Sequence, residues 1–263
     1  MPVPYRLGKL PHRPDSRIPR FSVQTRGRLP APPSSANWYA NSPTGGWGML
    51  GNDAYGDCVE AAAFHAVEQF SGYAGKPQIG TEHETLGLYS AITGFNPNDA
   101  RNTDNGTYVL GPGGLIEYWA KHGITVGGVS NKVTGFLQIT HKDPKEWKQG
   151  IWIFGGLLVG FAVPESLMSG DTTPYIWQDY SGPQVGGHEV WVNGYETVGG
   201  TTYYDLVSWG QMYRATEQFL LNLVDETVVV VEPTEMNARG VNAAGFSMSQ
   251  LLTDMWVLRQ GNR

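Results

Sequence analysis

Two residues in this sequence have the types and settings for nucleophilic chemistry. Cys58 is the only cysteine. It lies in "GNDAYGDCVEAAAFHAVEQF" (Gly51 to Phe70), where a glycine-bearing loop turns into an alanine-rich helical pattern. A cysteine attacks as the thiolate, and a helix N-terminus favours that anion through its unpaired N–H groups and macrodipole. A free cysteine also suits a buried apolar position, so a catalytic reading needs a second member. That member is a base, most often histidine. The chain offers His12, His65, His83, His122, His141 and His188.

His188 stands apart in "PQVGGHEVWVNGYE". Two glycines precede it, and the alternating apolar Val190 and Val192 follow. That pattern places an imidazole at the lip of a sheet with little bulk beside it. His65 falls on the same helix face as Cys58 but roughly 10 Å along the axis. It is too far for a direct pair and is expected to be a satisfied core histidine.

These residues must be positioned by other elements. Helical spacing predicts helices over 58–72 with Asp57 as N-cap, over 82–93 and over 113–121. Another opens at Asp143 or Pro144, one covers 216–225, and an amphipathic one capped by Ser247 ends the chain. Shorter periods predict strands over 157–163, 189–195, 203–209 and 227–231, with Gly199-Gly200 as a hairpin turn. Helices first and antiparallel strands second make an α+β fold in two lobes.

The division expected is an extended, basic, Pro-rich arm over 1–45, a compact domain over 46–235, and a C-terminal tail and helix over 236–263. The domain splits into a helical lobe (46–142) and a β lobe (143–235). In the arm, Arg6, Lys9, Arg13, Arg17, Arg20, Arg26 and Arg28 face Asp15 alone up to residue 33, whereas the whole chain carries −6. A basic arm on an acidic body is expected to dock on that body or on another copy. Nucleic acid ranks last as a partner, because the arm has few aromatics and the body repels phosphate.

Composition fits a globular, loop-rich protein: 40% hydrophobic, 16% charged and 12% aromatic, with 35 glycines and 17 prolines. One cysteine excludes an intrachain disulfide and any multi-cysteine metal site. "MPVPYRLGKLPHRP" has no apolar core of a signal peptide. The apolar run 151–163 is too short to span a bilayer and reads as a helix end followed by a core strand. A cytoplasmic or virion location, with no membrane partner, is the expectation. The Asn- and Asp-rich loop 96–105 matches no EF-hand spacing and reads as a solvated loop.

The order of these elements resembles the papain-like cysteine peptidase superfamily over most of 46–232. "NDAYGDC" resembles the family's amide residue, short glycine loop and helix-opening cysteine, with Asn52 where the family has its oxyanion glutamine. "DNGTYVLGPGGLIEYWAKHGI" resembles its Asn-Gly-Gly cleft loop and following helix. "GGHEVWVNGYE" resembles its histidine strand, and "YYDLVSWGQ" its Asn-Ser-Trp-Gly strand. The resemblance implies a papain-like two-lobe fold and a thiol hydrolase of peptide, isopeptide or related amide bonds. Cys58 would be the nucleophile, His188 the base, Asn52 the oxyanion donor and Trp209 a shield. Asp104, Asn105, Gly106 and Gly187 would line the substrate cleft. No metal or organic cofactor is implied.

One position departs from the pattern. The family's asparagine falls on Val207, which cannot accept an imidazole N–H. Either Asp205, Ser208 or Gln211 supplies that contact, or the pair works as a dyad, or the site is silent. More narrowly, the chain resembles a group of bacterial and bacteriophage proteins with "LGKLP" openings, a "YGDC" cysteine and a "WGQ" strand end. That likeness raises the alternative of a silent papain-like fold serving assembly, for example in a phage particle, through homo-oligomer or particle contacts of the arm. A third reading makes the arm an inhibitory segment lying in the cleft.

Overall fold

The computed structural model describes residues 5–14, 18–21, 29, 31–39, 46–99, 101, 103–168 and 175–253. A short strand β1 (Ala36–Asn37) precedes the helices α1 (Cys58–Tyr73), α2 (Glu82–Thr93) and α3 (Leu115–His122). Then come β2 (Ile124–Val126), β3 (Val129–Asn131), β4 (Gly135–Gln138), α4 (Pro144–Phe154), β5 (Leu157–Pro164) and α5 (Glu165–Met168). The chain continues through β6 (Ile176–Trp177), β7 (Gln184–Val198), β8 (Thr201–Ser208), β9 (Gln211–Thr216), α6 (Glu217–Leu223) and β10 (Val224–Val231). Among the described residues no helix is long and apolar enough to cross a membrane.

Local chemistry explains the boundaries. Thr81 and Glu84 form a reciprocal capping box at the start of α2, and Gly94 ends that helix in the left-handed region. Asp143 accepts the N–H groups of Lys145 and Glu146 at the start of α4, with Pro144 at the first helical position. The apolar run 151–163 divides as expected into the end of α4 and strand β5. Gly199 and Gly200, both with positive φ, make the two-residue turn between β7 and β8. Asp57 holds the N-cap position of α1 but makes no capping bond. Its carboxyl is instead buried without a well-formed hydrogen bond. Ser247 Oγ accepts the Gln250 N–H, as a cap should; the rest of the expected C-terminal helix, from 254 on, lies outside the described residues.

The large sheet runs β4-β10-β5-β7-β8-β9-β6, with β1 added on β7. All pairs are antiparallel except β6 with β9. β7 is far longer than the 189–195 segment the sequence predicts. Its first part pairs with β5, its last part with β8, and a register shift falls between Val192 and Gly194.

Alternation along β7 sends its side chains to two cores. Val190 and Val192 join Phe161, Leu206 and Phe219 on one face. Trp191 joins Val207, Leu158, Val228 and the alanine face of α1 on the other. Helix α1 is buried nearly all round, its alanines packing closely while Glu60, His65, Glu68 and Gln69 are buried with them.

Candidate active site

Cys58 is the first residue of α1 and is buried, with its thiol pushed up to about 12 by that burial. Two backbone N–H groups reach its sulfur and favour the thiolate: those of Glu189 and Gly8. Glu189 follows His188 on β7, so the sheet delivers the histidine strand to the helix start.

His188 is also buried, and burial pulls its imidazole down to about 3. Its Nε2 is 2.7 Å from Ser208 Oγ at the end of β8. Its ring stacks on Trp209, with centroids 4.3 Å apart and planes 18° apart, and meets Phe161 edge-on. Nδ1 is buried and has no hydrogen-bond partner, so no hydrogen bond joins it to Cys58. Burial thus leaves a neutral thiol and a neutral imidazole with no hydrogen bond between them.

Of the three residues considered behind the histidine, Ser208 is the one that meets it. Asp205 Oδ1 instead accepts Arg214 Nε at 2.8 Å. Gln211 is exposed at the start of β9, opposite Ser208 in the ladder. Val207 packs in the core beside α1. Trp209 adopts a positive φ of 43° at the strand end, which turns its ring over the imidazole.

Residues 5–10 lie against the elements around Cys58. Arg6 N–H donates to Asn52 O, and Asn52 Nδ2 donates to Arg6 O (3.2 Å) and Tyr55 O (3.1 Å). Trp209 Nε1 also points at Arg6 O, at 3.5 Å. Tyr5 stacks on Trp209, with centroids 4.5 Å apart and planes 11° apart. Thr107 N–H donates to Gly8 O, Leu10 N–H to Thr107 O, and Lys9 N–H to Gly187 O. Gly8, Gly106 and Gly187 let these backbones meet: a Cβ on Gly8 would overlap Gly56 O, one on Gly106 would overlap Gly8 O, and one on Gly187 would overlap Lys9 O. Further along, Arg13 lies over the Tyr108 ring.

The expected cleft residues therefore divide. Gly106 and Gly187 face the arm. Asp104 anchors its loop, accepting Gly56 N–H and the Tyr89 hydroxyl. Asn105 turns to solvent and bonds Thr103 Oγ1. His65 is the core histidine expected, its Nε2 within 3.0 Å of Trp47 O.

The sequence reading missed a set of buried charges beside the thiol. Glu189, on the α1 side of β7, is buried with neither oxygen partnered, and its carboxyl is raised by burial and by Glu226. The signal was legible: "GGHEV" and "DETVVVV" each place a carboxylate inside a strand that is apolar on both faces. A cavity of about 490 Å³ is lined by Ile18, Leu110, Ile116 and Phe136, and Cys58 is not part of its lining.

No family model matches the sequence, and no curated protein sequence matches it. Solved structures do. Xylellain, a cysteine protease from Xylella fastidiosa, superposes with a TM-score of 0.67 at 15% identity, covering 88% of this chain and 97% of its own. A procathepsin B from Trypanosoma congolense gives 0.61 at 12% identity, covering 86% of each chain. A digestive procathepsin L of Tenebrio molitor gives 0.57 at 14% identity, over 81% of this chain and 73% of that one. At such identities the likeness is one of fold, and this chain has the papain-like two-lobe fold, with a helical lobe and an antiparallel sheet lobe.

Proposed function

We propose that this chain is a thiol hydrolase of peptide or related amide bonds, held closed by its own N-terminal arm. The observation that carries the reading is the sulfur of Cys58 lying at the start of α1 against the N–H of Glu189, next to His188. The Ser208 contact supports it. With Nε2–H given to Ser208 Oγ, Nδ1 is left as the basic nitrogen, free of any other partner.

Once the arm leaves, water reaches the site and the helix start and the Glu189 N–H favour the thiolate. The thiol proton passes to His188 Nδ1. The sulfur attacks the substrate carbonyl, and the Sγ–C bond forms as charge moves onto the oxygen. Asn52 Nδ2, now holding Arg6 O, and the Cys58 backbone N–H accommodate that oxyanion. The C–N bond breaks as His188 gives its proton to the leaving amine. Water, deprotonated by His188, then attacks the thioester, the S–C bond breaks, and the acid leaves.

The arm reading rests on contacts with the chain's own cleft, from Tyr5 on Trp209 to Leu10 on Thr107. The second reading, a silent fold used in assembly, draws on the neutral, unbonded state of Cys58 and His188.

A peptide mixture incubated with the chain carrying Gly8→Val, and analysed by mass spectrometry, tests the choice. Cleavages that vanish in Cys58→Ala are expected. Their absence in a folded Gly8→Val chain would favour the assembly reading.

A further inference from the structure

Beside Cys58, three neighbouring strands place Glu226, Gly160 and Glu189 in one row. Glu226 on β10 pairs with Gly160 on β5, and Gly160 pairs with Glu189 on β7. Both glutamates are buried, 1% and 2% exposed. Like charges so placed repel each other, and the glycine between them leaves a slot where any other residue would put a side chain.

The arm fills that slot with Lys9. A Cβ on Gly160 would overlap Lys9 Cε, so the missing side chain is what admits the lysine stem. The ammonium is 2.9 Å from Asp225 Oδ1 and 3.4 Å from Glu226 Oε1, and it donates to Leu10 O at 3.2 Å. The Lys9 side chain is 1% exposed. Burial works against its charge, but Glu189, Glu226 and Asp225 more than offset that and hold it above its ordinary value. The other oxygen of Glu226 meets His12 Nδ1 at 3.1 Å, so a second basic residue of the arm reaches the same carboxylate. Glu189 keeps two oxygens with no partner.

From this row we infer that Glu189, Glu226 and Asp225 form a pocket for a lysine or arginine side chain, placed one residue away from the backbone that lies on Cys58. Lys9 follows Gly8, whose N–H reaches the sulfur, so the side chain in the pocket and the group at the thiol are adjacent along the bound strand. When the arm leaves, the pocket loses its counter-charge. A ligand with a basic side chain restores it; one with an acidic side chain adds another negative charge, and an aliphatic one leaves the carboxylates unpaired. A cleft of about 410 Å³ along the arm, lined by Lys9, Gly186, Gly187 and Asp225, gives the room for the longer guanidinium. As a statement about substrates this rests on the hydrolase reading; as a statement about binding it does not.

The test is a binding measurement, independent of the chemistry of Cys58. The full chain carrying Gly8→Val, whose own arm no longer fits, is titrated with a labelled peptide YRLGKLPHRP (residues 5–14) and with the same peptide bearing norleucine in place of Lys9. Gly8→Ala serves as a second, milder background should Gly8→Val fail to fold, since its Cβ alone already overlaps Gly56 O. The lysine peptide is expected to bind at least about ten-fold more tightly than the norleucine peptide, and Glu226→Gln with Glu189→Gln to bring the two close together. Equal binding of the two peptides, or a lysine preference that survives both glutamine substitutions, would overturn the pocket. A lysine preference with an unreactive Cys58 would support the pocket and overturn the hydrolase reading; a reactive Cys58 with no preference would do the reverse.

Discussion

The backbone N–H of Gly8 reaches the sulfur of Cys58, as that of Glu189 does. Burial raises the thiol to about 12, and the Gly8 and Glu189 N–H groups work against that rise. The groups that would serve a substrate hold the arm: Asn52 Nδ2, Trp209 Nε1, Thr107 and Gly187. A segment bound this way is displaced by local opening, not by unfolding of either lobe.

Gly8 is the weak point of that closure. Its Cα lies against Gly56, and any Cβ would overlap Gly56 O. Gly8→Val is expected to lift the arm and raise the rate of Cys58 alkylation at pH 7.5 by about ten-fold or more, the equivalent of 1.4 kcal/mol of closure lost. Gly87→Ala, on an open face of α2, has nothing within reach of its new methyl group and should leave the rate unchanged. Mass-spectrometric timing of thiol labelling reads both.

Among the described residues, Ser208 provides the one hydrogen bond made by the His188 imidazole. Ser208→Ala leaves both ring nitrogens buried without partners. Unfolding in urea should show a loss of about 1–3 kcal/mol, the cost of an unsatisfied buried polar group. Ser208→Thr keeps the hydroxyl and should recover part of that loss.

Stability should fall on the alkaline side because of carboxyls buried around α1. Burial raises Asp57 to about 9, and Glu60 and Glu68 to about 8, from ordinary values of 3.8 and 4.5. Between those limits the folded chain keeps protons that the unfolded chain has released. Their contribution is therefore complete below about pH 4 and is lost as pH rises through 8 to 9. The histidines act at the other end: burial lowers His65 to about 4 and His188 to about 3 from 6.5, so stability falls as pH drops from 6.5 toward 4. The two trends oppose each other between about pH 4 and 6.5, and above 6.5 only the carboxyls act, so melting temperatures should fall steadily from pH 6.5 to pH 9. Glu60→Gln keeps an acceptor for the Thr107 hydroxyl and should raise Tm at pH 8 with little change at pH 5.

The sequence made the helix starts and the hairpin legible because their signals are local: Thr81 with Glu84, Asp143 with Pro144, Gly199 with Gly200. Helix α2 is found at the expected residues, 82–93. The full length of β7 was hidden because its first residues, "QVGG", are held by β5 and carry no alternation of their own. The partner of His188 was narrowed to three residues, and the choice of Ser208 needed the register of β8 at its last position. Asp57 reads as a cap from its type, yet burial beside Glu60 keeps its carboxyl from that use. The meeting of Lys9 with Glu189 and Glu226 joins distant parts of the chain, so no local pattern carries it.

Reactivity of Cys58 with iodoacetamide across pH, measured in Gly8→Val and in Gly8→Val with His188→Ala, tests the thiolate–imidazole pair most directly. The expected result is a thiol that reacts fully well below pH 7 once the arm is lifted, and that loses this behaviour without the imidazole. A rate that rises only near the ordinary thiol value of about 8.5, and that ignores His188, would contradict it.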